Sequence, residues 1–238
     1  MSWLLWLTGR DICLEYLNAK ENKYRLRFNS VLSELSVRYI QSKDYNTYAQ
    51  IAHRAYLMLL THKSKNMQKL VIITHPDFQN SKVNKTWKHT LERYPETFRI
   101  HSIYDEYPDL SFDIDAEQEL LSQFDEIIFQ FPIHWFSTPF ALKKYIDEIL
   151  AFGWAFGPGG DRLEGKKIGF AVSTGGDIEA YRPPYGMNVD TLLNDVKLSF
   201  QFCGCTITRI HTFHGSMSNP SDGALMGNAR EYIHSFMD

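Results

Sequence analysis

Cysteine is scarce in this sequence, and its placement excludes two classes of protein. The three cysteines, Cys13, Cys203 and Cys205, are too few for a disulfide framework. Their spacing matches neither a Cys-x-x-Cys redox motif nor a paired zinc motif. We therefore expect a reducing compartment, and the cytosol is the simplest one.

Long apolar runs are absent as well. The apolar start, residues 3–7, is five residues long, has no basic flank before it and is soon followed by charged residues. This is typical of neither a signal peptide nor a membrane span. No later segment approaches the roughly 18 uninterrupted apolar residues that a membrane helix needs. The composition therefore predicts a soluble, cytoplasmic protein.

Charge of either sign is not in large excess, but it is unevenly distributed. Residues 1–66 carry a net charge of +5 and residues 67–238 a net charge of −8. Such a shift indicates two pieces of different origin or role, joined near residues 61–66. The acidic larger piece argues against nucleic acid as a partner of residues 67–238.

Residues 67–238 alternate between apolar runs and helical patterns. The runs predict strands at residues 70–74, 98–103, 126–131, 167–173 and 206–213. Helices are predicted at residues 81–93, 116–124, from Pro139 with Ser137 or Thr138 as N-cap, 189–202 and 221–236. Each return to a parallel strand needs a crossover, so the pattern predicts an α/β fold with a doubly wound five-stranded parallel sheet. Ligands bind such sheets beyond the carboxyl ends of the strands, where the winding direction reverses.

Residues 1–66 are predicted to form a mostly helical N-terminal extension. An apolar subset of residues is present, but a segment this small buries only a modest core by itself. It could dock on the main domain, form a small basic helical module that binds nucleic acid or a partner, or be an upstream extension of a chain that starts at Met67. The sequence leaves these alternatives open.

The first informative loop, residues 75–84, follows the first strand. A helix is expected to start near Ser81, and its unpaired N–H groups and dipole favour a phosphate. Ser81 and Asn84 would add side-chain donors, and His75 or Lys82 a charge. The glycine patterns of dinucleotide and nucleoside-triphosphate sites are missing. A capped helix without a ligand explains the same residues.

The second loop, residues 130–139, places adjacent Trp135 and Phe136 after the third strand. Planar rings at this edge of the sheet indicate a planar ligand, although they could instead cover a hydrophobic edge or a dimer contact. The third loop contains Gly175 and Gly176, which allow a ligand to approach the backbone closely or simply form a turn. Phosphate donors, a flat aromatic wall and close-approach amides are together what a flavin nucleotide requires.

Four segments between residues 125 and 167 resemble the NAD(P)H:quinone reductase family with a flavodoxin-like fold. They are QFPIHWFSTP at 130–139, LKKYID at 142–147, GWAFG at 153–157 and LEGK at 163–166. The likeness runs from residue 67 to the C-terminus. It is greatest to the bacterial branch that includes the ancillary oxidoreductase of glutathione-gated potassium efflux systems and general stress NAD(P)H oxidoreductases.

The resemblance implies an FMN cofactor, with FAD as the alternative, and NAD(P)H as co-substrate. It implies ping-pong hydride transfer through flavin N5 to a quinone-like acceptor. The phosphate and ribityl contacts fall on His75, Ser81, Lys82, Val83 and Asn84. The flavin ring contacts fall on Pro132, Ile133, His134, Trp135 and Phe136. The pyrimidine-edge contacts fall on Ser173, Thr174, Gly175 and Gly176.

Members of this family are homodimers, so Trp154 and Phe156 are expected to wall the partner chain's substrate pocket. Tyr181 matches a catalytic tyrosine that stabilises charge on the reduced flavin in animal members. The histidine that accompanies that tyrosine has no counterpart in residues 185–188. A histidine-assisted proton relay is therefore not expected, and the amides of Gly175 and Gly176 would have to stabilise the anion.

Two other functions stay open on this reading. The chain could be a regulatory subunit of a potassium efflux transporter, or a one-electron carrier like flavodoxin itself. Cys203 and Cys205 are interpreted as packing residues, because neither has a basic flank. His211 and His214 lack the spacing of a metal site, and no metal is expected.

Overall fold

The computed structural model describes residues 68–184 and 186–237, which belong to one compact unit. The predicted helical extension, residues 1–66, lies outside the described residues. Five parallel strands form one sheet in the order β2-β1-β3-β4-β5. They are β1 (Lys69–Ile73), β2 (Phe98–Ser102), β3 (Glu126–Pro132), β4 (Lys167–Ser173) and β5 (Thr206–Phe213). The predicted doubly wound sheet is confirmed, and its winding reverses between β1 and β3.

Seven α-helices connect or follow the strands in the described part of the chain. They are α1 (Lys82–Leu91), α2 (Ile103–Glu106), α3 (Ile114–Ser122), α4 (Phe140–Ile149), α5 (Val189–Leu192), α6 (Asn194–Phe202) and α7 (Asp222–Met237). Helix α3 begins two residues earlier than predicted because Asp113 Oδ1 accepts the Ala116 N–H at 3.0 Å and caps it. None of the helices described here is long and apolar enough to cross a membrane.

The start of α4 differs from the prediction. Pro139 is the N-cap itself, with φ −59° and ψ 150°, and no side chain caps the helix. The expectation of Ser137 or Thr138 as N-cap, with Pro139 at the first helical position, is therefore wrong. The backbone of Ser137 pairs with that of His134, so Ser137 belongs to the preceding turn and is not available as a cap.

The helix predicted at residues 189–202 is interrupted at Leu193, where φ is −92° and ψ is 7°. Successive residues of an uninterrupted helix point about 100° apart. Leu192 and Leu193 are both buried against the same core. The structure thus has two helices, α5 and α6, where one was predicted.

The sheet buries a hydrophobic core on each face. Along β1, Leu70 and Ile72 pack with α3, α4 and α6, whereas Val71 and Ile73 pack with α1 and α7. This alternation follows from the two-residue period of a strand. Both faces are therefore covered, and the carboxyl-end loops project from a rigid base.

Cys203 and Cys205 are both free and buried in the described structure. Burial raises the pKa of the Cys203 thiol, and burial together with Cys203 raises the pKa of Cys205 to about 12. Neither thiol is therefore a reactive thiolate at neutral pH, which supports the interpretation of packing residues.

Candidate functional site

The first loop places a helix start at the carboxyl end of β1. Ser81 Oγ accepts the Asn84 N–H at 3.1 Å and caps α1. The N–H groups of Lys82 and Val83, at the first two helical positions, are left without an intrahelical acceptor. The Lys82 ammonium donates to Asn219 Oδ1 at 2.5 Å, which holds its charge beside this helix start. The arrangement suits an anion.

Asn84 and Val83 do not present side chains to a ligand. Val83 packs into the core, and Asn84 is completely buried. The Asn84 amide donates to Ser81 Oγ at 3.3 Å and to Ser173 Oγ at 3.0 Å. Gln130 Nε2 donates to Asn84 Oδ1 at 3.3 Å. The expectation of a ligand donor from the Asn84 side chain is therefore wrong, because this side chain ties α1 to β3 and β4.

His75 is neutral rather than charged. Its Nδ1 accepts the Asp77 N–H at 3.1 Å, so the ring proton of the neutral form lies on Nε2. Burial, with a contribution from His134, lowers the pKa of His75 to about 4, and Asp77 only partly opposes this. Of the two alternatives that the sequence offered for the charge, His75 or Lys82, His75 supplies a neutral Nε2–H donor instead. Lys82 remains the cation of this loop.

The second loop is a tight two-residue turn with both central residues in the left-handed region. His134 N–H donates to Ser137 O at 2.9 Å, and Ser137 N–H donates to His134 O at 3.0 Å. Trp135 has φ 47° and Phe136 has φ 61°. Such turns favour Asn-Gly, and left-handed geometry costs a residue with a Cβ about 1–2 kcal/mol.

This strain projects two aromatic rings out of the fold. Trp135 is 94% exposed and Phe136 is 53% exposed. Neither the strain nor the exposure of apolar surface stabilises the folded chain by itself. Strained residues of this kind cluster at ligand sites, so the turn supports the predicted planar ligand.

The third loop leaves backbone donors available. Gly215 N–H donates to Gly176 O at 2.8 Å, and Met217 N–H donates to Gly175 O at 3.2 Å. The carbonyl groups of the two glycines are thus engaged by the turn after β5. Their own N–H groups have no acceptor among the residues that the structure describes. The predicted contact of these amides with a ligand stays a prediction.

The three loops meet at the edge where the winding reverses. The Ile133 N–H donates to Ser173 O at 2.8 Å, and Pro132 lies opposite Ser173 in register, so the second and third loops start side by side. The rings of Phe136 and Tyr181 lie 6.2 Å apart between centroids. Asn84 Nδ2 also donates to Ser173 Oγ at 3.0 Å, which brings the start of α1 beside the third loop. The three loops therefore begin at one edge of the sheet, and we call the space between them the crevice.

Trp154 and Phe156 lie on the turn that follows α4. The Phe156 ring lies 5.8 Å from that of Phe152 and 5.6 Å from that of Phe202. Among residues 68–184 and 186–237, no ring contact joins this aromatic group to Trp135 or to the rest of the crevice. Their predicted role toward a partner chain stays a prediction.

His214 lies beside the glycine loop, a position that the sequence did not predict. Its Nδ1 lies 2.9 Å from Thr174 Oγ1, and its ring lies 5.5 Å from that of Tyr181. His211, by contrast, bonds Asn228 Oδ1 at 2.9 Å and stacks on Tyr232 in the core. No local pattern distinguishes the two histidines, because His214 meets Thr174 across 40 positions of chain.

A concave region lies between α5, α6 and the outer edge of β5. It measures about 810 Å³, and its lining includes Asp190, Lys197 and Arg209. None of the residues predicted for the site lines it. The size of a groove alone does not identify it as the functional site.

Comparison with known proteins defines the class. Residues 67–236 match a protein family described as having a flavodoxin-like fold. The match covers well over half of the chain, and the strand order agrees with it. This chain belongs to that flavodoxin-like family.

Individual relatives narrow the class further. An uncharacterized NAD(P)H oxidoreductase of Bacillus subtilis (strain 168) is 35% identical over 153 residues, covering 63% of this chain and 87% of the relative. General stress protein 14 of Treponema denticola, solved in complex with FMN, is 34% identical with a TM-score of 0.67, covering 70% and 96% of the two chains. An NADPH-quinone reductase from P. pentosaceus is 25% identical with a TM-score of 0.65, covering 72% and 99%. The resemblance stated from the sequence is confirmed.

Proposed function

We propose that this chain is an FMN-dependent NAD(P)H:quinone oxidoreductase that transfers hydride in a ping-pong cycle. The observation that carries the proposal is the meeting of three loops at one crevice: an anion-ready helix start, a strained aromatic turn and a pair of free glycine amides. The relatives named for NAD(P)H oxidation, quinone reduction and FMN binding support the same activity.

The residues of the crevice fit an FMN. The phosphate would lie at the start of α1, where Ser81 caps the helix and Lys82 supplies charge. The flavin ring would lie against Trp135 and Phe136. A bound planar ligand would cover these exposed rings and offset the cost of the left-handed turn.

FMN, when bound, supplies hydride acceptance and hydride donation at N5. The chain orients the reactants and excludes water. Trp135 and Phe136 would provide an apolar wall. Nicotinamide and the quinone are both planar, so the same wall would suit each of them in turn. The amides of Gly175 and Gly176 would stabilise negative charge at the pyrimidine edge of a bound flavin, and Tyr181 lies beside them.

A second copy of the chain completes the pocket in this proposal. Trp154 and Phe156 would face the partner's crevice, and the neighbouring rings of Phe152 and Phe202 are 71% and 76% exposed. Exposed apolar groups of this size mark association surfaces. Sedimentation should therefore give a dimer, and Phe156→Ala should raise the KM for quinone more than it lowers kcat. A monomer with full activity would contradict this part.

The central test is flavin binding and turnover by the purified full chain. We expect one FMN per chain, a yellow flavin spectrum and oxidation of NADPH by a benzoquinone, with parallel lines in double-reciprocal plots. Trp135→Ala should weaken FMN binding, whereas Leu198→Ala, an exposed apolar control on α6, should not. A protein that binds no FMN would refute the proposal, and one that keeps FMN but oxidises no NADPH would instead be an electron carrier.

We also propose that residues 67–238 are the catalytic domain and that residues 1–66 are dispensable for catalysis. A chain starting at residue 67 should then keep its flavin content and its kcat. Loss of either would show that the extension contributes to the site.

A further inference from the structure

The turn after β5 is bound to the glycine loop by a backbone ladder. Besides the two bonds from Gly215 and Met217, the Thr174 N–H donates to Phe213 O at 2.9 Å. Gly215 has φ 75°, and a Cβ at this position would lie 2.3 Å from Asp177 Oδ1. The positive φ favours glycine at this position, and the backbone ladder holds the turn that carries residue 214 against the glycine loop.

The hydrogen bonds define the tautomer of His214. The Thr174 hydroxyl donates to Gly176 O at 2.9 Å, so its oxygen accepts from His214 Nδ1–H at 2.9 Å. The neutral ring then carries a lone pair on Nε2. In the part of the chain that is described, Nε2 has no hydrogen-bond partner.

The surroundings of His214 contain one group of each charge and one aromatic neighbour. Burial and the nearby Arg182 lower the pKa of His214, and Asp177 opposes them. The Tyr181 ring contacts both His214 and Phe136, so an aromatic series joins the histidine to the turn of the second loop. The imidazole is neutral at neutral pH and lies beside the amides that would face the flavin.

We infer that His214 is the residue that takes up the proton accompanying hydride transfer at this site. The inference rests on the proposed function. Hydride brings two electrons and one proton to the site, which gains one negative charge. Nε2 then takes one proton from solvent, and this restores the local charge. When hydride leaves for the quinone, Nε2 releases its proton and a quinone oxygen gains one, so the cycle consumes NAD(P)H, one proton and quinone.

The physical reason is the negative charge that the site gains close to the His214 imidazole. An opposite charge within a few ångström favours the charged form of an imidazole. The negative charge at the pyrimidine edge would therefore raise the pKa of His214 above its value in the free protein. The bond from Nδ1 to Thr174 keeps the ring oriented in both states.

The test measures protons rather than turnover. For a two-electron couple, each proton taken up changes the reduction potential by about 30 mV per pH unit. Near neutral pH, the wild-type flavoprotein should take up one more proton per two electrons than His214→Gln. The slope of its reduction potential against pH should therefore be steeper by about 30 mV per pH unit. His89→Gln, an exposed histidine on α1 far along the chain, is the matched control and should keep the wild-type slope.

A second measurement needs no variant. By NMR, the pKa of the His214 ring should lie below its ordinary value in the flavin-free protein and should be higher in the reduced holoprotein. Equal slopes for wild type and His214→Gln, or a His214 ring that stays neutral after reduction, would overturn the inference while leaving the oxidoreductase intact. A chain that binds no FMN would overturn the proposed function and this inference together.

Discussion

The cluster around Glu117 and the crevice differ in how far the fold itself satisfies their polar groups. Glu117 is buried, and three polar side chains surround its carboxylate. Tyr107 and Tyr145 each donate to its carboxylate at 2.8 Å, and His101 Nε2 lies 2.9 Å from it. The crevice instead keeps exposed rings, a left-handed turn and unpaired amides.

This difference indicates that the Glu117 cluster serves stability and that the crevice serves binding. A folded chain gains stability by satisfying its buried polar groups, as the Glu117 cluster does. Strain and unpaired donors persist where something other than the chain completes the arrangement. We therefore expect substitutions at Glu117 to change stability and not binding, and substitutions at the crevice to change binding.

The largest effect is expected for Glu117→Ala. It removes a buried carboxylate and leaves two tyrosine hydroxyls without their acceptor, which costs about 3 kcal/mol or more. Denaturant unfolding of the flavin-free protein should show this loss. The dissociation constant for FMN should not change, and a large change in it would break the proposed separation of the two regions.

The opposite sign is expected for the double variant Trp135→Asn with Phe136→Gly. These residues suit the left-handed turn, so the flavin-free protein should gain about 2 kcal/mol of stability. FMN binding should weaken at least tenfold, measured by fluorescence titration. A variant that became less stable would show that the aromatic rings pack in the fold after all.

The Glu117 cluster should also give a distinct acid dependence. Burial favours a higher pKa for Glu117, but the contacts with His101, Tyr145 and Tyr107 outweigh burial and lower its pKa. A lowered carboxylate pKa stabilises the fold above the unfolded value of about 4.5 and ceases to do so as pH falls through the folded value. Unfolding free energies measured from pH 6 to pH 3 should fall more steeply for wild type than for Glu117→Gln.

The smallest effect compares two helix caps. Ser81 caps α1 at the crevice, and Ser221 Oγ accepts the Ala224 N–H at 3.3 Å at the start of α7. Either serine changed to alanine should cost about 1 kcal/mol of stability. Only Ser81→Ala should also weaken FMN binding. Equal FMN affinity in the two variants would remove Ser81 from the proposed phosphate site.

Local pattern predicted much of this structure. The five strands were placed to within a residue at each end, because buried parallel strands are short apolar runs. The errors fell where contacts distant in sequence decide. The neutral state of His75, for example, depends on its burial and on His134.

Within the candidate site, some features could likewise be predicted from local sequence and others could not. Adjacent aromatics and paired glycines are local signals in the sequence, so Trp135, Phe136, Gly175 and Gly176 could be singled out as candidates, and their contact with a ligand stays a prediction. The inward orientation of Asn84 could not, because its partners Ser173 and Gln130 come from other strands.

The sequence by itself determined the parallel sheet, the crossover helices and the three loops at its carboxyl edge, because periodicity and turn residues act over a few positions. Only the tertiary structure decided which polar groups the fold uses internally and which it leaves for a ligand. Hydrogen bonding and burial depend on neighbours supplied by distant strands. His214 shows this most clearly, since its partner Thr174 lies on another strand's end.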